Sequence, residues 1–217
     1  MNMWFYLPSL AQAALVSILI CGLSLAVAAT LAFSAGLALF AGSPPTKVIA
    51  GVYVEVFRGT SLLVQLFWLF YALPLVGFSM PPLLTGILAL GLNSGAYGAE
   101  VVRGALRSVS HQQHEAAKAL NFSRPHTLWR IVLPQSLPEM IPSFSSLAVQ
   151  NLKDTSLVSM ITIVDLTFKA QELRNLTQDT VTVYSMALGI YFMMAMAIVA
   201  ASRLLEQRIG KAMGRHA

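Results

Sequence analysis

No charged side chain occurs before Lys47. Within that stretch, residues 9–41 are almost continuously apolar. A helix needs roughly 20 apolar residues to cross a bilayer. Backbone that is not helical or in a closed barrel cannot face lipid, because no water is there to satisfy its N–H and C=O groups. Residues 9–41 therefore read as a spanning helix, long enough that it must tilt or project beyond the membrane. Gly22 and Gly36 within it permit bending or close helix contact. A secretion signal would carry a positive n-region and a shorter apolar core, so the run is expected to be retained. Its one cysteine, Cys21, makes no intrachain disulfide and reads as a small apolar packing residue.

The remainder has the same character. The chain is 56% hydrophobic and 11% charged, against about 25% charged residues in soluble domains. Residues 61–78, 82–99 and 181–201 are further apolar segments, and residues 137–164 form a fifth, sprinkled with Ser, Gln, Asn, Lys and Asp. Basic residues in short loops set orientation. With the N-terminus outside and five crossings, Lys47, Arg58, Arg103, Arg107, Lys118, Arg124, Arg130, Arg203, Arg208, Lys211 and Arg215 fall on the cytoplasmic side. Only Lys169 and Arg174 fall outside, and Lys153 lies within a span. Omitting the fifth segment would put the basic tail outside, so the charge rule favours counting it. The expectation is an all-α membrane protein: one domain over residues 1–217, five transmembrane helices, the N-terminus outside and the C-terminus cytoplasmic. Residues 103–136 form a cytoplasmic loop between helices 3 and 4, and residues 165–180 an exposed external loop of mixed charge.

One short pattern occurs twice, as Glu55-Val-Phe-Arg58-Gly59 and Glu100-Val-Val-Arg103-Gly104. Each Glu and Arg lie three apart, on one helical face. Two readings stand: interfacial ion pairs with snorkelling side chains, or braces holding the cytoplasmic loop against the bundle.

That loop carries the most specific signal. Residues 111–135 read HQQHEAAKALNFSRPHTLWRIVLPQ. Good helix formers run from Gln112 to Leu120. Asn121 suits the left-handed turn that ends a helix. Ser123 suits an N-cap, with Pro125 tolerated in the next first turn. The spacing predicts a second short helix that Pro134 stops. Ala116 and Ala117 allow close backbone approach, ringed by Glu115, Lys118 and Arg124. Leu120, Phe122, Leu128, Trp129, Ile131 and Leu133 offer apolar anchors for a partner's groove. The competing reading is a helix lying on the membrane surface.

Glu115-Ala116-Ala117, the turn at Asn121 and Ile131-Val132-Leu133-Pro134 resemble the EAA loop of ABC-importer permease subunits. The stretch from Tyr53 through Arg58-Gly59-Thr60-Ser61 to Gln65 resembles the polar amino acid uptake branch of that family. So do Leu92-Asn93-Ser94-Gly95-Ala96-Tyr97 with Glu100 and Arg103, and Asn151-Leu152-Lys153-Asp154-Thr155-Ser156-Leu157. The family usually has Gly where Asn121 stands, and often Pro where Ser61 stands. The resemblance implies coupling helices that insert into a separate ATPase subunit, with Glu115, Ala116, Ala117, Asn121, Leu133 and Pro134 as the coupling residues. It also implies a dimer of ATPase subunits, a second permease subunit (identical or homologous), an extracytoplasmic solute-binding protein and a bacterial inner-membrane location.

The fifth segment holds the residues for a solute. Glu139, Ser143, Ser146, Gln150, Lys153 and Asp154 fall within about 100° of one another on a helix, and Asn151 and Thr155 widen that stripe. A charge at the bilayer centre costs about 2.5–3.5 kcal/mol on insertion scales. Either the stripe is interhelical glue, or it lines a wetted path in which adjacent opposite charges suit a zwitterion. Asn93 and Ser94 interrupt helix 3 in the same way. The path candidates are thus Gln150, Asn151, Lys153, Asp154, Thr155, Asn93 and Ser94.

The sequence has no Gly-x-x-x-x-Gly-Lys-[Ser/Thr] loop, since Ala212 follows Gly210-Lys211. No cofactor is expected on this chain, and ATP with Mg belongs to the partner. Nucleic acid is not an expected partner. His111, His114, His126 and His216 sit in the loop or tail and read as solvated rather than metal-binding. The function read here is the translocation subunit of an importer for a polar amino acid or related zwitterion. The alternatives are an importer subunit for an opine or an ectoine-like osmolyte, an independent channel or secondary transporter, and a membrane enzyme.

Overall fold

The computed structural model describes residues 6–212, without the side chains of His114 and residues 209–212. Arg215 and His216, and the side chain of Lys211, therefore lie outside the described residues. The elements are α1 (Leu7–Ala41), α2 (Pro44–Gly59), α3 (Leu62–Phe67), α4 (Pro82–Ser108), α5 (His111–Ala119), α6 (Arg124–Thr127), α7 (Leu133–Asp154), α8 (Leu166–Thr177) and α9 (Thr180–Ala212). Short π and 3-10 turns join some of them, and no strand occurs among the described residues.

The pairing of α1 with α4 is the most extensive in the bundle, and small residues make it. Ser24, Ala28, Ala32, Ala35 and Gly36 are buried on α1. Gly91, Gly95, Gly98 and Ala99 are buried on α4. Both sets recur at three- and four-residue steps, which places each on one stripe. A Cβ on Gly98 would stand 2.7 Å from Ala32 Cβ, and one on Gly91 2.7 Å from Val27 Cγ1. The backbones approach as closely as they do because those atoms are missing, the usual device where lipid provides no hydrophobic drive between helices. Gly36 belongs to this seam, its missing Cβ opposing Val102. Gly22 faces open space.

The second apolar segment is not one straight helix, as residues 61–78 suggested. Helix α2 and the stretch Leu62–Val76 pass a span test only as a pair, bent by 104°. The break falls at Thr60 and Ser61, both extended. Beyond α3 the chain loosens into a π turn over Trp68–Ala72 and a 3-10 turn holding Pro74. By length and hydropathy alone, only α1 (mean hydropathy 2.4) and Thr180–Arg208 of α9 (1.9) qualify as spans among the described residues. Helices α4 and α7 have 27 and 22 residues but more polar faces. Protein rather than lipid surrounds much of α4, so its composition is released from the lipid rule.

Helix α7 also departs from expectation. Pro134 does not stop a helix; it sits in the first turn of α7, where its missing N–H costs nothing. The preceding π turn, Leu128–Val132, runs directly into it. Residues 165–180 are not an exposed loop but mostly α8, whose Leu166 and Ala170 pack with Tyr6, Leu10 and Ala14 of the α1 end and with Val183 and Ala187 of α9.

The seam predicts a contrast. Gly91→Ala should destabilise the protein by about 1–3 kcal/mol through overpacking, whereas Gly22→Ala should leave its melting temperature in detergent unchanged. Equal melting temperatures for the two would contradict the close-packed seam.

Candidate functional site

Three regions bring the polar residues together: the α5–α6 hairpin, the corner where α2 meets α4, and the open face of α7.

The hairpin is closed by backbone geometry. Asn121 lies in the left-handed region at φ 58°. The Phe122 N–H donates to Ala117 O at 3.0 Å and the Asn121 N–H to Lys118 O at 2.9 Å. That bond pair defines a Schellman cap. Ser123 then caps α6, accepting from the His126 N–H, with Pro125 in the first turn. The side chains divide in two. Ala117 is 1% exposed, and Leu128, Val132 and Leu133 pack into a cluster with Val102, Leu106 and Met140. Ala116 and Glu115 are exposed, as are Leu120, Phe122 and Trp129. Of the expected apolar anchors, Leu128 and Leu133 therefore seat the hairpin on its own bundle. Glu115 lies 3.2 Å from His111 in a solvated position.

At the corner, the two echo motifs do not each close their own pair. Arg103 Nε donates to Glu100 at 3.0 Å, as the spacing implies. Arg58 instead reaches across to Glu100 at 4.0 Å and lies over the Tyr97 ring, 5.3 Å from its centroid. Glu55 is exposed and takes no ion pair among the described residues. The cause is position: Arg58 is in the last turn of α2, where α4 passes. Beside Glu100 is a hollow of about 290 Å³, lined also by Gly104, Ser108, Glu139 and Ser143. Ser108 hydrogen-bonds Glu139 across it.

On α7 the stripe separates into two roles. Glu139, Ser143, Ser146, Gln150 and Lys153 are exposed and Asp154 half-buried, in one line. Gln150 donates to Asp154 at 2.9 Å. Asn151 is wholly buried instead. It accepts from Ser24 of α1 at 2.8 Å and donates to Ser94 of α4 at 2.8 Å. Thr155 is buried too, donating to Leu152 O. Asn93 turns toward α2, donating to Phe57 O at 3.0 Å and to Gln65 Oε1 at 3.1 Å. Asn93, Ser94, Asn151 and Thr155 are thus engaged inside the chain, while Gln150, Lys153 and Asp154 are presented outward.

Two participants escaped the sequence reading. Gln65 stood in a quoted motif without a role. Asp165, expected to be exposed, is fully buried: it caps α8 through the Phe168 N–H at 2.9 Å and accepts from Tyr191 of α9 at 3.3 Å. Ser17 of α1 accepts the neighbouring Leu166 N–H at 3.1 Å. An Asp just before a helical run is an N-cap signal. Burial follows from α8 lying flat on α1 and α9, which local pattern does not encode. Among the described residues no three His, Cys, Asp or Glu gather as a metal site.

A helical bundle with clear apolar spans, a bent α2–α3 pair, a capped hairpin between its two polar helices and an open charged stripe fits a membrane translocation subunit. The chain belongs to the family of inner membrane components of binding-protein-dependent transport systems, whose model matches residues 30–211. It is 51% identical to the probable amino-acid ABC transporter permease protein y4tF of Sinorhizobium fredii (strain NBRC 101917 / NGR234), over 94% of this chain and 88% of that one. It is 31% identical to the glutamine transport system permease protein GlnP of Escherichia coli (strain K12), over 95% of each. The crystal structure of an amino acid ABC transporter with histidines matches it with a TM-score of 0.88 at 29% identity, over 95% of this chain and 96% of that one. The protein is a non-catalytic permease subunit of an ABC importer in the inner membrane. Membership implies association with a separate ATPase and a solute-binding protein. The independent-carrier and enzyme readings are not favoured.

The cap makes its own prediction. Left-handed backbone costs a non-glycine residue roughly 1–2 kcal/mol, and Asn tolerates it best after Gly. Asn121→Gly should keep or strengthen hydrogen-exchange protection over residues 111–132, and Asn121→Val should weaken it. Equal protection in both would contradict a cap that depends on the turn residue.

Proposed function

We propose that this permease carries a polar amino acid, or a closely related zwitterion, along the outward stripe of α7. The single observation that carries the reading is that Lys153 is exposed and Asp154 half-buried on the open side of α7, with Asp154 bonded, among the described residues, only to Gln150 of the same stripe, while Asn151 and Ser94 are tied to other helices. Two such charges against lipid would cost about 5–7 kcal/mol together, comparable with a domain's whole stability. A wetted path removes that cost. The adjacent ammonium and carboxylate are matched to the carboxylate and ammonium of an amino acid. The names of relatives such as y4tF and GlnP support the amino acid over an osmolyte.

In this reading the chain crosses five times as a single domain over residues 1–217, with α2–α3 as the bent second crossing, the N-terminus outside and the C-terminus cytoplasmic. A second permease, identical or homologous, faces the stripe and closes the path. The α5–α6 hairpin enters a cleft on one of two ATPase subunits. Glu115 and Ala116 make the contact, Asn121 and the buried Ala117 set the turn, and Leu133 and Pro134 join the hairpin to α7. ATP and Mg are bound by the ATPase alone. Nucleotide closure pulls the hairpins, and the bundle opens to the other side. The solute-binding protein delivers from outside.

With the complex reconstituted in vesicles, Asp154→Asn should lower amino acid uptake by about ten- to a hundredfold, the worth of a charge-assisted hydrogen bond. Co-purification of the ATPase should be unchanged. Parallel loss of uptake and assembly would assign Asp154 to packing instead. Ala116→Trp should do the reverse: release the ATPase while the permease keeps its melting temperature. Retention of the ATPase by that variant would remove the hairpin from the interface.

A further inference from the structure

The break between α2 and α3 poses a problem that its surroundings solve. Asn93 is eleven residues into α4, about 16 Å along a helix that measures some 40 Å. That depth is near the middle of a hydrocarbon layer about 30 Å thick. A helix ending beside Asn93 leaves its last carbonyls without intrahelical partners, and any of them that face lipid cost several kcal/mol each. The α2 terminus lacks the usual remedy. Its C-cap, Thr60, is extended, and no left-handed residue folds the chain back to close the carbonyls.

Side chains close them instead. Thr60 Oγ1 donates to Val56 O at 2.7 Å. Gln65 Nε2 lies 2.9 Å from Phe57 O, 3.2 Å from Thr60 O and 2.7 Å from Thr60 Oγ1. Asn93 Nδ2 also donates to Phe57 O, at 3.0 Å, and to Gln65 Oε1 at 3.1 Å. One amide comes from α3 and one from α4, they bond each other, and both bond the end of α2. A third tie lies alongside: Tyr53 OH donates to Leu92 O at 2.7 Å. The N–H groups of both amides are directed at these acceptors.

We propose that Gln65 and Asn93 are positioning residues of the transport cycle: their amide clasp makes the mid-membrane bend a fixed joint and binds α2, α3 and α4 into one moving body. Helix α4 ends at Ser108 and α5 begins at His111. Resting on the reading of the hairpin as the coupling element, a pull on it is delivered through α4 to α3 without loss at the bend. The sliding surface then lies elsewhere in the bundle.

The test uses the reconstituted complex with its ATPase and binding protein, and reads amino acid uptake per ATP hydrolysed. Gln65→Leu and Asn93→Leu should each lower that ratio by about tenfold, the worth of a buried hydrogen-bonding group left unpaired. Because the two amides act as one unit, the double variant should be no worse than either single. The swap Gln65→Asn with Asn93→Gln keeps the summed side-chain length and should recover most of the ratio, which a general loss of packing would not. The swap also decides the matter if the leucine variants fail to assemble. An unchanged ratio in the singles, additive losses, or a swap no better than the leucine double overturns the clasp. Absence of ATP-driven uptake in the unmodified complex would instead defeat the importer reading itself.

Discussion

Every polar group at membrane depth must find a partner inside the protein or in a wetted path, and that demand organises this bundle. Lipid offers no hydrogen bonds, so the chain distributes its polar residues between two duties. Asn151 ties α7 to Ser24 of α1 and Ser94 of α4. Gln65 and Asn93 cap the broken end of α2. Tyr191 and Ser17 serve the buried start of α8. What is left over after this pairing is the stripe from Glu139 to Asp154. Among the described residues, that stripe is tied to another helix only at Glu139, through Ser108, and within itself by Gln150 and Asp154; in the proposed reading it is the part that faces the solute.

The same demand explains why α4 is the mechanical centre. The glycine seam sets it against α1 at close range. The ion cluster at Glu100 and the amides at Asn93 set it against α2 and α3. Its far end runs into the hairpin, whose return strand of helix, Leu128 to Leu133, packs back on Val102 and Leu106. Close packing of this kind transmits displacement rather than absorbing it. In the proposed reading, a hairpin gripped by a partner has a direct line to α2–α3 and, through α7, to the stripe.

Much of this was legible from residue order alone. The Asn121 turn, the Ser123 cap and a polar stripe along one face of α7 follow from local rules of backbone preference and helical period, and the structure contains all three; which of the stripe's residues face outward does not follow from those rules. Three-dimensional neighbours decided the rest. Arg58 could be given its i−3 partner from spacing, yet it chose Glu100 because α4 crosses the end of α2. Asn151 and Gln150 are adjacent in sequence and equally polar, but a single step around α7 separates a buried cross-link from an open face. Pro134 reads as a stop and acts as a start, because a π turn delivers the chain to α7 already helical. Asp165 looked solvated because nothing local announces that α8 lies against α1 and α9.

The division of polar residues into internal ties and an open stripe is measured most directly by thiol labelling. The native cysteine, Cys21, is 4% exposed, and Cys21→Ala gives a clean background. Single cysteines at Ser146, Gln150, Ser94 and Asn151 would be treated with a membrane-impermeant maleimide in the assembled, reconstituted complex. The account predicts that positions 146 and 150 react and that 94 and 151 stay protected through the ATP cycle. Labelling at 94 and 151 with protection at 146 and 150 would contradict it.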